Sequence, residues 1–177
     1  EALVRGAEVV VVAGPSDVPM PYGVEVIPVE TAVEMAEACV SLAQDADLFI
    51  GAAAVADYRV DKPPAEKHKR TGKGLTLKLV ENPDVLRLVS AVKQDGQVIV
   101  GFAAETSALI RNAKAKLQKK NLDLIVGNKV GTPESGFGTD MLDAAIIDST
   151  GGTERLGRLT KEEVAERLFD RIAALVS

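Results

Sequence analysis

Residues 97–127, QVIVGFAAETSALIRNAKAKLQKKNLDLIVG, carry the pattern that decides the fold. Two short apolar runs, Gln97 to Ala103 and Leu122 to Gly127, each predict a buried strand. Between them, Ser107 is the expected N-cap of a helix that runs to about Lys120. A strand, a helix and a second strand at this spacing predict a parallel pair joined by a right-handed crossover.

The same alternation extends over the rest of the chain. Further strands are predicted at Glu8 to Ala13, Val24 to Val29, Asp47 to Ala54, Leu75 to Val80 and Ala144 to Asp148. Aromatic residues make up only 3% of the sequence, and an aliphatic core suits strands that are buried on both faces. The prediction is a single α/β domain over residues 1–177, with a Rossmann-like, doubly wound, mostly parallel sheet and helices on both faces.

Capping residues mark the predicted helix starts. The pairs Thr31–Glu34 and Thr160–Glu163 have the spacing of capping boxes. Asn82 is the expected cap of another helix, which takes Pro83 and Asp84 into its first turn.

Composition excludes several classes of protein. No apolar run approaches the roughly 20 residues of a membrane span, and no signal peptide opens the sequence. A single cysteine, Cys39, cannot form an internal disulfide, which predicts a cytoplasmic protein. The net charge of −5 argues against a general nucleic-acid binder. Cys39 falls on the apolar side of a predicted helix, and His68 is the only histidine. A Cys–His nucleophile and a zinc site are therefore disfavoured.

Basic residues concentrate in two clusters. Between Arg59 and Lys78, seven Lys or Arg stand against two acids, in a long Pro- and Lys-rich loop. The second cluster lies on the predicted helix, which contains no acid, and comprises Arg111, Lys114, Lys116, Lys119 and Lys120. Lys116 and Lys120 share one helix face, where like charges repel unless an anion lies between them. Both clusters suit a polyanion such as a nucleotide triphosphate. On pattern alone, solvated basic surfaces explain them equally well or better.

Two acids are candidate ligands for Mg²⁺, which prefers carboxylate oxygens. Asp57 follows a predicted strand end, where ligands of such folds bind. Asp84 lies in the first turn of a helix, where stabilisation of the helix dipole is the simpler explanation of an acid.

The glycine-rich motifs of dinucleotide-binding and P-loop proteins are absent from the sequence. The nearest stretch, Gly136 to Asp140, follows a loop and not a buried strand. Glu1 to Gly6 resembles the end of a helix, whereas a doubly wound domain normally opens with a strand. We therefore expect the domain to be truncated at its N-terminus, without its first strand and phosphate loop.

Five strings in register carry a resemblance to a known family. They are FIGAAAVADYR (49–59), AEKHKR (65–70), ENPDVL (81–86), VGFAAET (100–106) and KNLDLIVGN (120–128). Together they resemble the bacterial form of phosphopantothenoylcysteine synthetase, which is usually fused behind a flavin-dependent decarboxylase. The resemblance extends over essentially the whole chain.

The resemblance implies a ligase that joins 4′-phosphopantothenate to L-cysteine, driven by CTP with Mg²⁺. The carboxylate would attack the α-phosphate, pyrophosphate would leave, and the cysteine amine would displace CMP from the acyl-cytidylate. Relatives outside bacteria use ATP. The family is a homodimer, with a flap that reaches the neighbouring subunit's site, and the predicted strand Leu75 to Val80 would suit such an interface.

The resemblance also implies functional residues. Lys67 matches the catalytic lysine of a loop that covers the active site, and Asp57 and Asp84 match acids that hold the nucleotide and its cation. The nucleotide contacts implied are Gly51, Ala52, Ala53, Asp57, Lys67, Pro83, Asp84, Val85, Leu86, Phe102, Lys116 and Lys120. Arg70 replaces the last lysine of the loop, and it keeps the charge but not the flexible geometry.

The family's glycine-rich turn, its Ser-Ser-Gly phosphate loop and an asparagine that handles the acyl-cytidylate have no match in the sequence. A chain that begins at Glu1 is thus expected to bind nucleotide weakly and to have little ligase activity. Two alternatives stay open: a nicotinamide-dependent oxidoreductase whose motif lies in the missing segment, and a non-catalytic dimerising fragment of a larger chain.

Overall fold

A computed structural model describes residues 1–63, 72, 74–131 and 140–176. The strands in these ranges are β1 (Val10–Ala13), β2 (Glu25–Pro28), β3 (Leu48–Gly51), β4 (Tyr58–Val60), β5 (Leu79–Glu81), β6 (Val98–Glu105), β7 (Leu124–Lys129), β8 (Met141–Asp148) and β9 (Thr153–Thr160). The helices are α1 (Ala32–Ala43), α2 (Val85–Ala91), α3 (Leu109–Lys120) and α4 (Lys161–Val176).

Five strands form the central sheet, in the order β3-β6-β7-β8-β9. The first three are parallel to one another, and β8 and β9 are antiparallel to their neighbours. The predicted Rossmann-like α/β fold is confirmed, with an antiparallel end that the sequence reasoning did not foresee. Only residues 149–152 join β8 to β9, which is too short for the crossover that a parallel pair requires.

Two smaller sheets lie apart from the central one: β1 and β2 pair in parallel, and β4 and β5 pair antiparallel. Strand β4 was not predicted, and β5 covers Leu79–Glu81 where a strand over Leu75 to Val80 was expected. The alternating residues Leu75 and Leu77 precede the ladder and are exposed.

Helices cover both faces of the central sheet. On one face, Ile99 and Ile125 pack in a buried cluster with residues of α1, α2 and α3. On the other face, Val100 and Val126 pack with Val164, Leu168 and Ile172 of α4. Cys39 belongs to the first cluster, and burial raises the pKa of its thiol, which confirms its interpretation as a core residue. None of the helices in the described ranges has the length and apolar character needed to cross a bilayer.

The two predicted capping boxes are confirmed. Thr31 accepts from Glu34 N at the start of α1, and Thr160 accepts from Glu163 N before α4, each with the reciprocal glutamate contact. The cap predicted at Ser107 is wrong. Ala108 occupies the N-cap of α3 in a left-handed conformation (φ 49°), without a side-chain cap hydrogen bond.

The cap predicted at Asn82 is also wrong, because Asp84 itself caps α2 by accepting from Arg87 N at 3.3 Å. The Asn82 side chain instead bonds a neighbouring loop, as described below.

Candidate functional site

A cleft of about 1440 Å³ separates β1 from β3. Its wall includes residues 9–14 on one side, residues 47–53 on the other, and residues 81–86. Helix α1 contributes Met35 and Cys39, and α4 contributes Phe169. We call this space the β1–β3 cleft.

The strands on either side of the β1–β3 cleft each have an unpaired edge. Within the described ranges, β1 pairs with β2 alone and β3 with β6 alone. The four residues of β3 are only partly buried, whereas Val98–Gly101 of β6 are fully buried beside them. The cleft is therefore bordered by backbone that can still pair with an extended segment.

Most of the nucleotide contacts expected from the sequence meet at this cleft. Those that line it are Gly51, Ala52, Ala53, Asp57, Pro83, Asp84, Val85, Leu86, Phe102 and Lys120. They come from three separate stretches of the chain, from the middle of β6 and from the end of α3. Lys116 is not among the lining residues, and Lys67 lies outside the described residues, as do His68 and Arg70.

Gly51 allows close packing where β3 ends. A Cβ at this position would lie 2.7 Å from Leu86 Cδ2 and 3.0 Å from Leu86 Cγ. The absence of a side chain thus lets α2 approach the strand, and it brings residues 83–86 against residues 51–53 at the cleft.

Asn82 and Arg59 join the two loops that carry the candidate acids. Asn82 Nδ2 donates to Ala56 O at 2.8 Å, and Asn82 N donates to Asp57 O at 2.8 Å. Arg59 Nη1 donates to Glu81 O at 2.6 Å and to Asn82 Oδ1 at 3.2 Å. These bonds hold the backbone of Asp57 next to the turn before Asp84. The sequence reasoning missed this role, although both residues lie in strings that carry the family resemblance.

Asp84 forms an ion pair with Lys120 at the cleft. Lys120 Nζ lies 2.9 Å from Asp84 Oδ1, and the two side chains are 26% and 40% exposed. The lysine is the last residue of α3, and Asn121 follows it in a left-handed conformation. The ion pair thus spans two helix ends, and water can reach both groups.

Lys116 is held by Glu105 at the end of β6. Its Nζ lies 2.7 Å from Glu105 Oε1, and Asn112 Nδ2 donates to Glu105 Oε2 at 2.9 Å. Burial alone would raise the pKa of Glu105, but the contacts with Lys116 and Asn112 outweigh it and lower the pKa.

The spacing of Lys116 and Lys120 suggested an anion between them, but the structure pairs both lysines without one. Each lysine already has an acidic partner from another element, Glu105 for Lys116 and Asp84 for Lys120. The sequence of α3 contains no acid, and the partners lie elsewhere in the chain.

The candidate acids suit a metal ion that arrives with phosphates. In the part of the chain that the structure describes, no three metal-binding side chains form a group. Asp57 and Asp84 line the same cleft, and Mg²⁺ commonly binds through one or two carboxylates with phosphate and water oxygens completing its octahedron. The residues present therefore fit Mg²⁺ bound to a nucleotide better than a cation held by protein alone.

Comparisons with known proteins place the chain in one family. Residues 1–176 match the family described as DNA/pantothenate metabolism flavoprotein C-terminal domain. The coenzyme A biosynthesis bifunctional protein CoaBC of Escherichia coli (strain K12) is 41% identical over 171 residues, which cover 95% of this chain and 42% of that protein. The CoaBC protein of Bacillus subtilis (strain 168) is 38% identical over 177 residues, covering 99% and 43%.

A solved structure agrees with these matches. The crystal structure of the C-terminal domain of CoaBC superposes with a TM-score of 0.78 at 34% identity, covering 99% of this chain and 79% of that one. The chain spans less than half the length of the two curated relatives. Since the family match covers almost every residue and both relatives exceed 30% identity, the chain belongs to the family of DNA/pantothenate metabolism flavoprotein C-terminal domains.

Proposed function

We propose that the chain is the ligase domain of a cytoplasmic coenzyme A biosynthesis enzyme, which joins 4′-phosphopantothenate to L-cysteine with CTP and Mg²⁺. One observation carries the proposal. Ten residues that the family resemblance assigns to the nucleotide lie around one cleft, although they come from distant parts of the chain. The names of the two curated relatives support the role in coenzyme A biosynthesis.

In the proposed reaction, the carboxylate of 4′-phosphopantothenate attacks the α-phosphorus of CTP. Pyrophosphate leaves, and the acyl-cytidylate that forms is attacked by the cysteine amine, which gives the amide and CMP. The attack of one anion on another requires cations that stabilise the charge developing at phosphorus. Lys67, Lys120 and the nucleotide-bound Mg²⁺ are the proposed sources of that charge, and Lys116 would add to it if it leaves Glu105.

The cytosine would bind at the end of β3. Ala52 and Ala53 are exposed there and follow Gly51 without regular structure, so their N–H and C=O groups are available to a base. Backbone groups fixed in this way discriminate bases by the pattern of donors and acceptors. Phe102 and Leu86 line the same cleft and offer apolar contact, while Asp57 and Asp84 would bind the metal and the polar part of the nucleotide.

We also propose that a strand from an upstream segment of a longer native protein lies between β1 and β3, and that it leaves the part of the β1–β3 cleft lined by Ala52, Ala53 and residues 83–86 to the nucleotide. Two features support this: the facing edges of β1 and β3 are unpaired within the described ranges, and the lining is rich in Val and Ala. A parallel strand in this position would join β2-β1 to β3-β6-β7 in one continuous sheet. The same segment would supply the phosphate loop, and a decarboxylase domain would precede it.

The homodimer expected from the resemblance remains a proposal. It is supported by Leu75, Leu77 and Leu79, which are 62%, 51% and 55% exposed. Alternating leucines on one face of an exposed segment expose apolar area that a second copy could bury.

The test of the ligase is pyrophosphate release by the longest native protein that contains this sequence. Sustained release is expected with CTP, Mg²⁺, 4′-phosphopantothenate and cysteine together. Without cysteine, release should stop after a single turnover, and ATP should support release less well than CTP. Lys67→Ala should abolish most of the activity, while Lys62→Ala removes a charge from the same basic segment and serves as the control. A native protein that binds neither CTP nor ATP would refute the proposal.

A further inference from the structure

The ion pair between Asp84 and Lys120 occupies one of the two carboxylate oxygens that a metal ion could use. Asp84 Oδ1 accepts both from Lys120 Nζ at 2.9 Å and from Arg87 N at 3.3 Å. An ammonium group and a divalent cation repel each other strongly at such distances, especially inside a cleft where the dielectric constant is lower than in water. The carboxylate therefore cannot keep Lys120 in place and bind a metal at the same oxygen.

Lys120 can leave Asp84 without leaving the cleft. The ammonium group stands on a flexible four-carbon stem, and the stem starts at the C-terminal end of α3, where a positive charge is favourable. Because both partners are partly exposed, little stability is lost when they separate. A displaced ammonium would point toward any anion in the same cleft.

We infer that Lys120 and a divalent cation exchange at Asp84, so that the metal and the nucleotide phosphates bind cooperatively. This inference rests on the proposed function and adds to it a coupling between two ligands. Before ligands bind, Lys120 neutralises Asp84. When a metal–nucleotide complex enters, the metal takes the carboxylate, and Lys120 moves to the phosphate oxygens.

Lys116 would not take part in this exchange. It is one turn earlier on the same helix, but it is not among the residues that line the cleft. Its partner Glu105 is mostly buried and is also held by Asn112. Asp84 is thus the more exposed of the two acids, at 40% against 12% for Glu105, and it is the one that lines the candidate nucleotide site.

Binding of Mn²⁺ alone, measured by electron paramagnetic resonance on the longest native protein, tests the exchange without nucleotide or turnover. Lys120→Met removes the competing ammonium, and it should tighten Mn²⁺ binding about fivefold or more, the lower range of usual coupling factors. When Asp84→Asn is also present, Lys120→Met should no longer tighten Mn²⁺ binding. Asn is used because it preserves the helix cap. Lys119→Met removes an exposed lysine next in sequence and should leave Mn²⁺ affinity unchanged.

The coupling itself is measured by calorimetric titration of CTP with and without Mg²⁺. In the unsubstituted protein, Mg²⁺ should tighten CTP binding by roughly tenfold, and CTP should tighten metal binding by the same factor. In Lys120→Met, CTP should bind more weakly, and the enhancement by Mg²⁺ should fall severalfold. Lys119→Met should keep the full enhancement.

The outcomes separate the inference from the proposed function. If Lys120→Met leaves both the Mn²⁺ affinity and the Mg²⁺ enhancement of CTP binding unchanged, the exchange is wrong, although the protein still binds CTP. An equal loss in Lys119→Met would also refute it, because the effect would then reflect net charge alone. Failure of the unsubstituted protein to bind any nucleotide would instead refute the ligase proposal.

Discussion

The strands β3 and β6 are neighbours with closely similar sequences, yet they differ in burial. Leu48–Gly51 reads LFIG, and its register partner Val98–Gly101 reads VIVG. All four residues of the β6 stretch are buried, whereas those of β3 are only partly buried, because the far edge of β3 borders the β1–β3 cleft. Equal apolarity therefore does not imply equal contribution to stability.

Near the opposite end of the central sheet, side-chain contacts hold the turn between β8 and β9. Asp148 ends β8 and is 4% exposed. Its carboxylate accepts from Thr150 Oγ1 at 2.6 Å, from Gly152 N at 2.9 Å, and from Arg171 of α4. The turn between β8 and β9 is thus internally satisfied, whereas the edge of β3 borders the β1–β3 cleft, where the candidate site lies.

The largest expected effect contrasts the two register partners Ile99 and Phe49. Ile99→Ala should lower the free energy of unfolding by about 2–5 kcal/mol, because Ile99 is fully buried and the cavity cannot collapse. Phe49→Ala removes a larger group but should cost less, since Phe49 is partly buried and lines the cleft. Urea denaturation with an unchanged m-value measures both. If Phe49→Ala lowers the free energy of unfolding as much as Ile99→Ala or more, the comparison is wrong.

A smaller loss is expected at the hairpin end, where Asp148→Asn leaves Arg171 without its charged partner. The expected cost is about 2–3 kcal/mol at neutral pH, as for hydrogen bonds that involve charged groups. Asp170→Asn is the matched control, because Asp170 is exposed and pairs with Arg5 at the surface. A change in the free energy of unfolding no larger than that of the control would show that Asp148 does not stabilise the turn between β8 and β9.

The same site predicts a pH dependence. Hydrogen bonds from Thr150, Arg171 and Gly152 to Asp148 outweigh the effect of burial. Together they lower the pKa of this carboxyl to about 2 from the ordinary 3.8. Because the folded pKa is lowered, the stabilisation, about 2 kcal/mol, is present above about pH 4 and is lost as the pH falls toward 2. The stability difference between the unsubstituted protein and Asp148→Asn should shrink over that interval, as measured by urea denaturation at each pH.

The glycines that end the matched stretches of β3 and β6 provide a finer comparison. Gly101→Ala would place a Cβ 2.7 Å from Leu122 Cδ1 and 3.1 Å from Leu86 Cδ1, and should cost about 1–2 kcal/mol by overpacking. The atoms nearest to a Cβ at Gly51 belong to Leu86 and Phe49, and because these side chains border the cleft and can shift, Gly51→Ala should cost less. Thermal unfolding of both variants decides the order, and the reverse order would mean that the β3 side is the more rigid.

The smallest expected difference lies between the two capping boxes. Thr31→Ala at the cleft side and Thr160→Ala at the hairpin side should each cost about 1 kcal/mol. Both caps depend on hydrogen bonds between residues three positions apart. The side of the sheet on which each helix lies should therefore not change the cost. Chemical denaturation of the two variants provides the test, and a clear inequality would show that the tertiary surroundings control even these local bonds.

Much of the fold could be predicted from the sequence, and the errors have a common cause. Apolar runs predicted the parallel strands, and the Thr–Glu spacings predicted the two capping boxes. Strand β9 was missed because it lies at a sheet edge and its alternation, TERLGRLT, is mostly polar. The cap at Ser107 failed because the chain enters α3 through a left-handed Ala108, which no local preference of alanine indicates.

For the candidate site, the family resemblance selected residues that the structure places together, but it did not identify their partners. Lys120 and Asp84 are 36 positions apart, and Arg59 and Asn82 are 23 apart. Such pairs cannot be inferred from helical or strand periodicity.

By itself, the sequence determined the α/β class, the two capping boxes and the aliphatic strands, because these depend on interactions among residues a few positions apart. The tertiary structure alone decided that β3 borders an open cleft while β6 is buried, and that Lys120 meets Asp84 while Lys116 meets Glu105. The physical reason is that burial and ion pairing depend on which distant segments the folded chain brings into contact.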